Sequence, residues 1–132
     1  KYLLRPVSTL GALVLGSLAL SATAVAKPLS LIPLPQQVIH EQGAPFVLKG
    51  STQISYSSKQ AQAPADLLAM ALRSATGLPF PTIEADVAPA NSIHFALVAS
   101  NEGREAYQLT ADHNGVVISA NQIGGLLNGS QT

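Results

Sequence analysis

The chain has 132 residues, a formal net charge of zero and neither cysteine nor tryptophan. Zero net charge with no basic run excludes a function built on electrostatic attraction to nucleic acid or to an anionic membrane surface. The absence of cysteine excludes disulfides, thiolate metal sites and a lipid-modified cysteine, so a fold of this size must stand on its hydrophobic core.

Residues 1–26 read as a secretory signal peptide. Lys1 and Arg5 form a basic start, Leu10–Leu20 is an apolar stretch, and Ala24-Val25-Ala26 gives the small-x-small pattern that precedes cleavage. A membrane anchor needs about 20 predominantly apolar residues. Val7–Ala26 approaches that length but carries five Ser/Thr, and its strongly apolar part is short. Cleavage would leave Lys27–Thr132 as one compact, exported domain, periplasmic or extracellular, without a membrane anchor.

Lys27–Pro35, with three prolines, predicts an extended lead-in. Val38–Glu41 and Phe46–Leu48 predict a first hairpin around Gln42-Gly43-Ala44-Pro45, and Gln53–Tyr56 a third strand. Between Pro64 and Thr76 the spacing predicts a helix. Pro64 suits its first turn, Leu68, Leu72 and Ala75 recur at helical spacing, and Gly77 is a natural stop. Thr82–Val87 and Ser92–Ala99 read as strands separated by Ala88-Pro89-Ala90-Asn91. Tyr107, Leu109 and Ala111 alternate with polar Gln108 and Thr110, a strand with one buried face. Asn114-Gly115 is a type I′ turn signal, which needs φ > 0 at both central positions, and Val116-Val117-Ile118 returns as the partner strand. Asn121 can then cap a helix whose apolar residues are Ile123, Leu126 and Leu127. So short a helix has little on which to pack, and the sequence reads as cut rather than finished. The order predicts an α+β fold: a mostly antiparallel β-sheet with two helices packed on one face.

Candidate chemistry is sparse. Glu84 and Asp86 are two apart on a predicted strand and would share a face, as an acid/base pair could, but a solvated strand face places carboxylates the same way. Glu102 and Glu105 flank Gly103-Arg104 in a loop, and Asp66 in a first helical turn opposes the helix dipole. His40, His94 and His113 fall in three separate elements without metal-ligand spacing. No Gly-x-Ser-x-Gly elbow or phosphate-binding glycine loop is present. Asn128-Gly129-Ser130 is formally a glycosylation acceptor. Phe46, Tyr56, Phe80, Phe95 and Tyr107 fall mostly on alternating strand positions and read as core rather than as sugar-stacking platforms. No catalytic, cofactor-binding or metal-ligating residue is assigned.

Two short motifs resemble a known family. Tyr107, Leu109, Gly115, Val116, Ile118, Ala120, Gly125, Leu126, Gly129, Gln131 and Thr132 match a pattern that closes the N-terminal domain of family-20 glycoside hydrolases, the β-N-acetylhexosaminidases and chitobiases. Leu31-Ile32-Pro33-Leu34-Pro35-Gln36-Gln37-Val38 resembles that domain's opening. Leu127 and Asn128 depart from the pattern, which has aromatic residues there. The resemblance implies a non-catalytic accessory domain for residues 27–132. Its partner would be a following (β/α)8 barrel in the same polypeptide, absent here. In that barrel an Asp–Glu pair hydrolyses terminal N-acetylhexosamine, Asp orienting the acetamido group and Glu acting as acid/base. Neither residue maps onto this sequence, and N-acetylhexosamine glycans are expected as ligands only of the parent enzyme. Two other readings stay open: a free-standing secreted carbohydrate-binding module and a small periplasmic structural protein.

Overall fold

The structure, a computed structural model, describes Leu31 and residues 35–39 and 42–132. The predicted signal peptide, residues 1–26, lies outside the described residues, as do His40 and Glu41. Chain order is β1 (Gln53–Tyr56), a 3-10 turn at Lys59–Ala61, α1 (Gln62–Thr76), β2 (Thr82–Glu84), β3 (Ser92–Leu97), β4 (Tyr107–Asp112), β5 (Gly115–Ala120) and α2 (Ile123–Gln131). The strands form one sheet in the order β2-β1-β3-β5-β4.

The α+β class holds, with both helices on one face: α1 lies over β1, β2 and β3, α2 over β5, β4 and β3, and the helices touch each other. The sheet itself differs from expectation. It is mixed, and only β4–β5 pair antiparallel, while β1–β2, β1–β3 and β3–β5 are parallel. A 15-residue helix between β1 and β2 gives the crossover that parallel pairing requires. The second cause is the short β2, which stops at Glu84 instead of Val87. The next seven residues then double back, and Asn91, at φ 57, turns the chain so that β3 runs beside β1 in the same direction. Asn91 is tied on every side. Its N–H donates to the Asn114 carbonyl (2.6 Å), its carbonyl accepts the Gln53 N–H, Thr52 Oγ1 donates to its Oδ1, and its Nδ2 donates to Ser51 Oγ.

Among the described residues the predicted first hairpin has no strand. Val38 and Ile39 are exposed and residues 42–48 carry no strand; Pro45 lacks a ladder donor, and an isolated two-stranded hairpin is marginal in water. Phe46 alone of this segment packs against the core.

α1 buries Pro64, Ala65 and Ala69, with Ala61 of the preceding turn in line with them, rather than the predicted leucine stripe; Leu68 and Leu72 flank them half-buried, and Ala75 is exposed. Small side chains at i, i+4 bring the helix close to the sheet. Gly77, at φ 74, ends it as expected, its N–H on the Arg73 carbonyl. Arg73 also donates from Nε to the Pro79 carbonyl and from Nη2 to the Phe80 carbonyl, holding the turn that drives Phe80, at φ 34, wholly into the core. Because α1 starts at Gln62, Asp66 sits in its second turn, not its first, and accepts from Gln62 Nε2.

α2 also differs from expectation. It begins at Ile123 with Gln122 at the cap; Asn121 does not cap it but donates from Nδ2 to the Ser100 and Glu102 carbonyls. Nor does it lack packing. A Cβ at Gly125 would strike the Ala106 carbonyl oxygen and lie 2.7 Å from Ala120 Cβ; one at Gly129 would lie 2.5 Å from Ile118 Cγ2 and 3.0 Å from the Tyr107 ring. Two absent side chains therefore seat the helix on β4 and β5. Leu126 is fully buried there, contributing about 1.5–3 kcal/mol as such side chains do.

Candidate functional site

The predicted carboxylate pair is not assembled. Glu84 ends the edge strand β2 and Asp86 lies two residues beyond it in a bend, so they do not share a strand face, and both are exposed. Glu102 and Glu105 are exposed in the loop before β4, where their backbone carbonyls, not their carboxylates, accept from Asn121 and Asn128. The histidines are also apart. His113 is exposed in the β4–β5 turn, and His94 is buried on β3. Among the described residues no three His, Asp or Glu gather as metal ligands would. Of the described aromatic residues, Phe80, Phe95 and Tyr56 are buried and Phe46 and Tyr107 half-buried, all in or against the core. Asn128 lies within α2, donates to the Glu105 carbonyl, and precedes the tightly seated Gly129.

Three polar features escaped sequence reasoning. Ser55 and His94 face each other on adjacent parallel strands, on the sheet side away from the helices, with Ser55 Oγ 2.8 Å from His94 Nδ1. Ser55 is wholly buried and His94 only 3% exposed. Burial lowers the imidazole pKa below its ordinary value, so the neutral ring is favoured. The i, i+2 apolar pattern of β3 (Ile93, Phe95, Leu97) marks His94 for the opposite face, but nothing local signals that this face is covered.

Asp112 is the second. The Asn114-Gly115 signal correctly placed a hairpin, but the strands close at Asp112↔Gly115, so the turn residues are His113 and Asn114. Neither Asn114 nor Gly115 has positive φ, so the turn is not type I′. Asp112 Oδ1 shapes it by accepting the N–H groups of Asn114 (2.7 Å) and Gly115 (3.1 Å). The Asn114 N–H is the main reason that the Asp112 carboxyl lies below the usual carboxylate range. Gly115 is required for space instead: a Cβ there would lie 2.5 Å from the Ser92 carbonyl oxygen.

The third is a pair of shallow depressions. A groove of about 280 Å³ lies at the amino ends of β3 and β5, between the Ala88–Ala90 loop and the hairpin, lined among others by Thr110, Asp112, Asn114 and Val117. A more open hollow of about 290 Å³ lies at the amino end of α2, beside Gln60, Leu97 and Asn121. Neither presents two facing carboxylates. The outer side of the helix layer is apolar instead: Leu67 (53% exposed), Met70 (59%) and Ile123 (42%) project away from the buried alanines and glycines. No helix of the described residues is long and apolar enough to cross a membrane.

Comparison with known proteins identifies the frame to which these features belong. Residues 28–132 match the family model for glycosyl hydrolase family 20, domain 2. No curated protein sequence matches the chain. Among solved structures, the GH20 β-N-acetylhexosaminidase of Streptomyces coelicolor is similar over 76% of this chain, with 31% identity and a TM-score of 0.66. A mutant β-hexosaminidase of Streptomyces plicatus, in complex with the product GlcNAc, is similar over the same share at 33% identity and a TM-score of 0.65. The chain spans 20% and 19% of the lengths of those two enzymes. By its family match and by the fold it shares with these enzymes, the chain belongs to glycosyl hydrolase family 20, of which it carries domain 2.

Proposed function

We propose that this chain is the non-catalytic domain of an exported β-N-acetylhexosaminidase, and that it serves a catalytic domain in the same polypeptide. The observation that carries the reading is a mismatch of extent: a family-20 match over all the described residues, against a span of one fifth of the similar enzymes. The scattered carboxylates support it, since glycoside hydrolysis by acid/base chemistry uses two acidic groups placed across one bond. Export is supported by the basic–apolar–small order of residues 1–26.

The helix layer is the face suited to the partner. Leu67, Met70 and Ile123 form an apolar outer surface, and half-buried Leu127 lies on the same side of α2. Leu126 is already used by this domain's own core. The parent enzyme would hydrolyse terminal N-acetylhexosamine from chito-oligosaccharides or glycoconjugates. The test is to read the coding sequence beyond Thr132 and express the longer polypeptide. An in-frame barrel with an adjacent Asp–Glu pair, and release of N-acetylhexosamine from an aryl glycoside, are expected. A longer polypeptide with no such activity on any N-acetylhexosaminide would overturn the reading.

A further inference from the structure

We propose that the groove between the Ala88–Ala90 loop and the β4–β5 hairpin binds one pyranose unit of a glycan, held by Asp112, Asn114 and Thr110 over Pro89 and Val117. Its place in the fold comes first. Thr110 pairs with Val117 and Asp112 with Gly115, positions that alternate with the helix-facing Ile118 and Val116. The groove therefore opens on the sheet side away from α1 and α2 and stays accessible when the helix layer is covered.

The polar groups are held before any ligand arrives. The turn takes Asp112 Oδ1 for two backbone N–H groups, which fixes the carboxylate and leaves its second oxygen for another donor. The Asn114 side chain lines the groove beside the same carboxylate. A fixed acceptor beside an amide that both donates and accepts suits two neighbouring hydroxyls, and the Thr110 hydroxyl adds a third contact at the wall. Ser92 Oγ donates to the Pro89 carbonyl (2.6 Å), so the opposite wall is tied down too. Pro89 and Val117 offer apolar surface to the C–H face of a sugar ring.

Charge and size narrow the ligand class. The carboxylate stays ionised at neutral pH and would repel an anion. A divalent cation would want more oxygen ligands than one carboxylate and its neighbours supply. About 280 Å³ is just below the roughly 300–1,000 Å³ of drug-sized sites, so the groove holds one ring rather than a whole oligosaccharide. The choice of a glycan rests on the proposed function; the groove's preference for a neutral, hydroxyl-rich ring does not.

The test is a titration of the ¹⁵N-labelled chain with N-acetylglucosamine trimer, and separately with calcium chloride, followed by amide chemical shifts. Saturable shifts confined to Thr110, Asn114, Gly115 and Val117 are expected, with a dissociation constant of roughly millimolar order for so shallow a site. Asp112→Asn keeps a carbonyl oxygen for the turn but removes the charged acceptor, and should weaken binding about tenfold with the chain still folded by circular dichroism. Thr110→Val should weaken it less. No shifts, shifts gathered instead at Gln122–Gly124, the same response to calcium alone, or an unaltered affinity in Asp112→Asn would each overturn the proposal. Hydrolysis by the longer polypeptide with no binding here would sink this inference and leave the proposed function intact; binding here without such hydrolysis would do the reverse.

Discussion

The two helices lie on the same sheet face and reach it by different means. α1 approaches on alanines, so its buried stripe keeps methyl groups that touch the sheet and can be exchanged at moderate cost. α2 approaches on glycines, and its neighbours are a backbone carbonyl, a strand Cβ and the Tyr107 ring, which have little room to give. One helix is fitted through side chains and the other through their absence. The lesson is that the shorter helix, with fewer apolar residues, is the more tightly specified.

Gly125→Ala should break this comparison most strongly. The added Cβ meets the Ala106 carbonyl, so α2 must lift away; about 3 kcal/mol or more is expected, read as a loss of over about 10 °C in melting temperature. An unchanged melting temperature would mean that α2 is not seated as described. Gly115→Val comes next, at about 2 kcal/mol, because its Cβ presses on the Ser92 carbonyl across the β3–β5 pairing. The two causes of a glycine effect can be separated here. Gly115→Ala should already cost most of the loss if space decides, as the φ values indicate.

A smaller effect should come from pH. Burial depresses the folded-state pKa of His94, so below about 6.5, the ordinary value, the unfolded chain binds more protons than the folded one. Stability is thus complete above that value and is lost as pH falls through it, levelling off below the folded-state pKa. His94→Gln should flatten the melting temperature between pH 7 and pH 5 relative to the parent chain. Equal slopes for the two would show that the imidazole does not sense burial. Tyr107→Phe is the mildest change. It removes the hydroxyl pair with Thr132 at the end of α2 and should cost about 1 kcal/mol, measurable by urea denaturation.

The same contrast explains what the sequence could convey. β1 and α1 follow from local periodicity within two residues of their observed ends, and the β4–β5 hairpin from alternation and its turn residues. The parallel pairings were not legible, because they depend on where the chain returns after β2, and that is decided by Asn91 contacts distant in sequence. The packing of α2 was misjudged because a hydrophobic pattern registers Ile123, Leu126 and Leu127 but gives Gly125 and Gly129 no weight. Gly115 misled differently: a glycine after asparagine suggests a left-handed turn, yet here it serves close approach between strands. As for chemistry, the carboxylates that alternate near β2 drew attention by spacing, whereas Asp112 is distinguished only by the turn that it shapes.

The central proposal, that this family-20 domain leaves hydrolysis to another domain of the same polypeptide, is tested most directly by assaying the purified chain on an aryl N-acetyl-β-glucosaminide. The account predicts release no faster than the buffer blank, with the chain folded by circular dichroism. Robust turnover by the isolated chain, abolished in Glu84→Gln or Asp86→Asn, would contradict it.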